Sequence, residues 1–159
     1  RSGAKWATNG KLAQDVIDTA SILAGPDNMP GVTRDMPVHG HVRTPDPNDH
    51  LYVYGSDQSR IRLLVEETPE RGQPLHPALP YIEAEVIWAV RHEMARTVED
   101  VLARRTRALF LDARASLDMA PRVAQLMAQE GGFDERWVRT QLNDFRSVAS
   151  GYLLDDGSG

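Results

Sequence analysis

Between Arg91 and Arg107 the chain carries five arginines and three acids, Glu93, Glu99 and Asp100. A guanidinium presents a rigid fork of donors that matches a carboxylate or a phosphate. Such density is costly to bury and adds little as a plain surface, so the stretch reads as a fixed polar network or an interaction surface. The residues assigned to it are Arg91, Glu93, Asp100, Arg104 and Arg105. Arg105 shares a helix face with Val101, four residues earlier, so its stem is expected to pack. Pairing with Glu93, Glu99 or Asp100 is the structural reading of Arg104 and Arg105; contact with a partner domain or an anionic ligand is the functional one. His39 and His41, with Asp46, Asp49 and His50 nearby, have too little converging pattern for a metal set, and no metal site is assigned. His39 is expected to hydrogen-bond backbone in a Pro-His-Gly turn. There is no cysteine and no Gly-x-Ser-x-Gly elbow, so no nucleophile is assigned. The adjacent acids Glu66-Glu67 and Glu99-Asp100 point apart on a helix and make poor acid–base pairs. The sequence names no catalytic residue.

These side chains have to be positioned by helices. Leu12, Val16, Ala20 and Leu23 recur at helical spacing and predict a helix over 11–23, closed by Gly25-Pro26. Residues 26–80 read as a loop-rich, proline-rich arm. Within it Leu51-Tyr52-Val53-Tyr54 suggests a short strand or extended segment, and Ser56 or Asp57 a cap for a short helix carrying Ile61, Leu64 and Val65. Residues 81–154 read as a helical domain. Pro80 is expected at or just before the first turn of its first helix, whose apolar face is Ile82, Val86, Ala89 and Val90, with Trp88. Thr97 and Asp100 form a capping-box pattern, with Val101, Leu102 and Leu109 facing inward. Asp112 is expected to cap the next helix, Pro121 to kink it or open another, and Gly131-Gly132 to end it. Asp134 should cap the last helix, whose stripe is Val138, Leu142, Phe145, Ala149 and Tyr152. Trp88, Trp137, Phe110, Phe133 and Phe145 read as core or interface anchors. Residues 155–159 read as a disordered tail. The predicted fold is mainly α: a helical bundle preceded by a long proline-rich arm with at most one or two short strands.

Composition bounds the rest. At 159 residues the chain is of single-domain size, with 41% hydrophobic residues and a formal charge of −5. Net acidity argues against a broad nucleic-acid-binding surface, and no apolar run reaches membrane-spanning length.

Three segments, taken in order, resemble one family. Gly3-Ala4-Lys5-Trp6-Ala7-Thr8-Asn9-Gly10-Lys11-Leu12-Ala13 is similar to its Gly-Gly-Lys-Trp-Thr-Thr-Tyr-Arg-Lys-Met-Ala. Thr33-Arg34-Asp35-Met36-Pro37-Val38-His39-Gly40 is similar to its Thr-Arg-x-Leu-Pro-Leu-His-Gly. The stretches Glu85–Glu93 and Thr97–Arg107 resemble its C-terminal helical domain. The family is that of the FAD-dependent, aerobic, quinone-linked glycerol-3-phosphate dehydrogenases.

The resemblance implies a C-terminal portion of such an enzyme: residues 1–25 at the edge of the flavin domain, then the arm, then an accessory helical domain. The Gly-x-Gly-x-x-Gly turn that opens a flavin domain is absent. The parent would oxidise sn-glycerol 3-phosphate to dihydroxyacetone phosphate with FAD and pass electrons to quinone; no FAD is expected on this portion, which is expected to be inactive. Of the cofactor-proximal motif, only Lys5 and Thr8 carry over; the family's Tyr-Arg is Asn9-Gly10 here, and Gly10 offers no guanidinium to a phosphate. The implied partner is the N-terminal flavin domain, with homodimerisation and peripheral association of a cytoplasmic parent with the inner membrane, and no nucleic acid. The alternative is a helical protein-interaction or dimerisation module without catalysis of its own.

Overall fold

A computed structural model describes residues 9–24 and 36–153. Contacts divide the chain into two compact units, residues 1–39 and residues 40–159. In the first, α1 spans Asn9–Ala24. Its turns are tied locally: Lys11 Nζ lies 2.7 Å from Asp15, and the Thr19 hydroxyl donates to the Asp15 carbonyl.

The second unit opens with a loop whose path is fixed at one glycine. Gly55 has φ +55°, and a Cβ there would lie 1.8 Å from the Gly40 carbonyl oxygen, so only glycine fits. The Ser56 amide donates to that same oxygen at 3.1 Å. The Leu51–Tyr54 segment, expected as a strand, belongs to a 3-10 turn spanning His50–Asp57. Asp49 caps that turn by accepting from the Leu51 amide, and this local bond wins over the extended preference of the β-branched and aromatic side chains. Helix α2, Gln58–Glu67, comes next and buries Ile61 and Leu64.

Strands β1, Pro74–His76, and β2, Leu79–Ile82, form an antiparallel hairpin. Pro80, expected at a helix start, lies in β2 instead. Both strands of a two-stranded sheet are edges, where a residue without an N–H is tolerated.

Helix α3, Glu83–His92, is buried almost all round. One side, Val86 and Ala89, joins the main core; the other, Ala84, Ile87 and Trp88, packs with Leu51, Ile61 and Leu64. A helix apolar on both sides belongs in the middle of a fold. The Thr97 amide donates to Asp100 and the Asp100 amide to the Thr97 hydroxyl, both at 3.0 Å, the reciprocal cap the spacing predicts. From this cap the chain enters a π-helical turn, Asp100–Arg105, and then the short α4, Ala108–Leu111. Val101, Leu102 and Leu109 are buried as expected.

Helix α5, Ala113–Gly131, starts where Asp112 accepts from the Ala115 amide at 2.9 Å. Pro121 lies inside it on an exposed position, so the helix runs through rather than restarting. Gly132, at φ +68°, ends it. Helix α6, Glu135–Ser150, is capped by Asp134. It sets Phe145 and Ala149 into the core beside the partly buried Val138 and Leu142. Tyr152 falls beyond the helix and is exposed, edge-on to Phe110 at 5.5 Å. The observed fold is mainly α with one two-stranded sheet. Residues 154–159, which include the predicted tail, lie outside the described residues.

Candidate functional site

The arginine-rich stretch resolves into separate pairs. Arg91 at the end of α3 makes a two-pronged bond to Glu130 on α5, at 2.6 and 2.9 Å. Arg104 reaches Glu99 at 2.7 Å and Asp100 at 3.1 Å. Arg105 donates twice to the Glu93 carbonyl, at 3.2 and 2.6 Å, and lies 3.7 Å from its carboxylate. Burial pushes the Glu93 carboxyl up, against the pull of Arg105. Partial burial also works to raise Asp100, but bonds from the Arg96 and Thr97 amides, the Thr97 side chain and Arg104 together hold it below the ordinary carboxylate value. Arg91 therefore ties α3 to α5, while Glu93, Asp100, Arg104 and Arg105 brace the turn between α3 and α4.

Arg107 differs. It stands at φ +61°, a left-handed conformation uncommon for a side-chain-bearing residue. It is exposed and makes no ion pair among the described residues. Behind it, the Thr106 amide and hydroxyl both donate to the Val101 carbonyl at 2.9 Å, which closes the π-helical turn.

Arg105, Thr106 and Arg107 form one wall of a cavity of about 490 Å³. His50, Tyr54, Tyr81 and Glu85 line it from the 3-10 turn, β2 and α3, and Tyr52, Val53, Phe110 and Leu111 complete it. Its volume falls in the range of ligand pockets. Glu85 is 1% exposed and fully engaged. It accepts from the Ile82 amide at 2.8 Å and the Tyr54 hydroxyl at 3.1 Å, and lies 3.2 Å from His50 Nε2. The bond to Glu85 raises the His50 pKa, against burial. Burial first, then the Glu85 charge, pushes the Tyr54 phenol far up, so it stays a donor. Glu85 is thus engaged by three neighbours at once, a satisfied buried polar network of the kind that rigidifies a fold.

The sequence reading missed Glu85, His50 and Tyr54 as a group. One signal was present: Glu85 stands three residues after Ile82, the position from which a glutamate caps a helix start. A second buried carboxylate, Glu83, pairs two-pronged with Arg122 on α5 at 2.6 and 2.8 Å. Among the described residues no three His, Asp or Glu side chains gather as a metal-binding group.

Residues 3–137 match the family described as the C-terminal domain of alpha-glycerophosphate oxidase. The chain belongs to that family. The C-terminal domain so identified is 32% identical over 92% of its length to the probable mitochondrial glycerol-3-phosphate dehydrogenase of Caenorhabditis elegans. It is 30% identical over 91% of its length to the mitochondrial enzyme of Homo sapiens, and 29% over 89% to that of Arabidopsis thaliana. It spans about a quarter of those relatives: 23%, 23% and 27% of their lengths. No solved structure matches it. Both the arginine network and the cavity lie within the matched part of the glycerophosphate-oxidase C-terminal domain. Lys5 and Thr8, the two positions carried over toward the cofactor, lie outside the described residues. No described helix is long and apolar enough to cross a membrane.

Proposed function

We propose that this domain is the C-terminal part of an FAD-dependent glycerol-3-phosphate dehydrogenase, and that it scaffolds a flavin domain supplied by the rest of the parent polypeptide. The parent oxidises sn-glycerol 3-phosphate to dihydroxyacetone phosphate, with quinone as electron acceptor; the domain alone does not. One observation carries the reading. Residues 3–137 match the C-terminal domain of alpha-glycerophosphate oxidase, in a chain that spans about a quarter of the length of its relatives. In this reading α1 belongs to the edge of the flavin domain, and the packed unit after it is the accessory helical domain.

The described residues do not fit FAD by themselves. The sheet is one antiparallel hairpin, and the Gly-x-Gly-x-x-Gly turn that would receive the pyrophosphate is absent from the sequence. Lys5 and Thr8 approach the cofactor only within the whole enzyme. Homodimerisation and peripheral attachment of the parent at an inner membrane belong to the same reading. Nucleic acid does not: the net charge is −5, and Arg91, Arg104 and Arg105 are already matched by acids.

The test compares the purified chain with the full-length parent by flavin absorbance and dye-coupled oxidation of glycerol 3-phosphate. The parent should carry FAD and turn over; the chain should do neither. Stoichiometric FAD on the chain alone overturns the proposal.

A further inference from the structure

We propose that the cavity beside Arg107 is the seat on which the remainder of the parent polypeptide docks, receiving an apolar side chain flanked by a carboxylate. This rests on the reading of the chain as one part of a larger enzyme and names the surface by which the domain is held.

Three observations point there. Around the cavity Tyr52, Val53, Phe110 and Leu111 are 42, 67, 53 and 66% exposed. Phe110 and Leu111 also line an adjoining depression with Tyr152, itself 49% exposed. The apolar surface is thus continuous across two hollows, wider than a small molecule seated in one of them would cover. Scattered single apolar residues need no explanation; a contiguous group around a concavity does.

Next, Arg107 has no carboxylate partner among the described residues, whereas Arg104 and Arg105, just before it, do. Arg91, Arg104, Arg105 and Arg122 each face a carboxylate on this chain. Arg107 has none among the described residues and occupies a strained left-handed backbone at φ +61°. Strain of this kind persists only where the surroundings enforce it; the π-helical turn and the Thr106 bonds to Val101 do so here. A fork-shaped donor beside an apolar hollow asks for an acid on an apolar segment.

Finally, the relatives are about four times longer than the stretch matched, so a large partner of the right size is at hand. At this cavity one described cation, Arg107, lacks an acid, too few for a lipid surface, which takes a cluster of them.

The experiment uses the full-length parent with a benzophenone amino acid at position 110, irradiated and mapped by mass spectrometry. The same probe at position 63, an exposed leucine outside the cavity, is the control. The proposal expects a cross-link from position 110 to a peptide outside these 159 residues, and no such link from position 63. Arg107→Glu should reduce that cross-link at least tenfold and Arg107→Lys should keep most of it, with both leaving the melting temperature of the chain unchanged. Cross-links confined to this chain, or joining isotopically distinct copies of it, overturn the proposal. So does a rise in the chain's melting temperature with inorganic phosphate or benzoate that Arg107→Glu abolishes, which would make the cavity a small-anion pocket. A parent that lacks flavin fails the underlying reading; an active, flavin-loaded parent without the cross-link fails this surface alone.

Discussion

Helices α1 and α6 are both 16 residues long, and both place apolar side chains at helical spacing. Helix α6 buries Phe145 and Ala149 to 1% and 0% exposure, whereas α1 leaves Leu23 at 84%. The sequence pattern says which face of a helix seeks burial; it does not say whether the covering surface is in the same chain. Burying a Leu or Ile side chain contributes about 1.5–3 kcal/mol, and α1 realises little of that here. Its length is also near the margin for a helix without tertiary support. Within its own unit, α1 has much to gain from a covering surface.

The largest effect should separate the two helices directly. Phe145→Ala removes a fully buried ring and should cost about 3–5 kcal/mol in urea unfolding. Leu23→Ala in α1 should change the same transition by less than about 0.5 kcal/mol. Equal costs would mean that α1 is packed in the isolated chain, and the comparison would break.

A second probe asks how firmly the packed unit is tied across its own elements. Arg122→Ala strands Glu83, which is 7% exposed, without its counter-ion. A buried carboxylate left unpaired typically costs several kcal/mol. Because the arginine side chain is 45% exposed, water can enter, and a loss of about 2 kcal/mol is the scaled expectation. The double variant Glu83→Gln with Arg122→Met should recover part of it. No recovery would mean that Arg122 acts through packing of its stem and not through charge.

The pH dependence sharpens the contrast further. His50 has its pKa raised in the folded chain by Glu85. Its contribution is therefore fully present below the unfolded value, about 6.5, and is lost as pH rises through the higher folded value. Chain stability should fall across that window, and His50→Gln should flatten the fall. The helicity of a peptide spanning α1 should show no matching step, since no histidine lies in it. A wild-type profile that rises with pH over this window would contradict the His50–Glu85 assignment.

Much of this was legible where the interaction is short-range. Asp112, Asp134 and the Thr97–Asp100 pair bond to backbone within three residues, so spacing alone announces them. The stripe of α6 was equally open to reading except for Tyr152, which falls beyond the helix and is exposed. By contrast, Glu85 meets His50 across 35 residues and Glu83 meets Arg122 across 39; no local pattern encodes either. Leu51–Tyr54 misled because its side chains favour extension, while the turn is imposed by the Asp49 cap and by the Gly55–Gly40 contact. Within the arginine stretch, composition identified a network but not that Arg107, at its end, would stand beside a cavity without an acid. That depends on the left-handed backbone at Arg107, to which arginine has no special tendency.

The smallest expected effect compares like with like. Each region carries a pair four residues apart on one turn: Lys11–Asp15 at 2.7 Å in α1 and Arg104–Asp100 at 3.1 Å after α3. The first is fully open to water, its partners 76 and 56% exposed. The second sits in a set, since Arg104 also holds Glu99, and Asp100 also accepts from two amides. Isolated exposed pairs contribute little, and networks somewhat more. Arg104→Ala should therefore lower chain stability by roughly 0.5 kcal/mol in urea unfolding, with the loss reduced in about 1 M salt. Lys11→Ala should leave the global transition where it was and reduce only the helicity of an α1 peptide. If Lys11→Ala shifts the global transition as far as Arg104→Ala does, α1 unfolds together with the packed unit, and its exposed face needs another explanation than a missing neighbour.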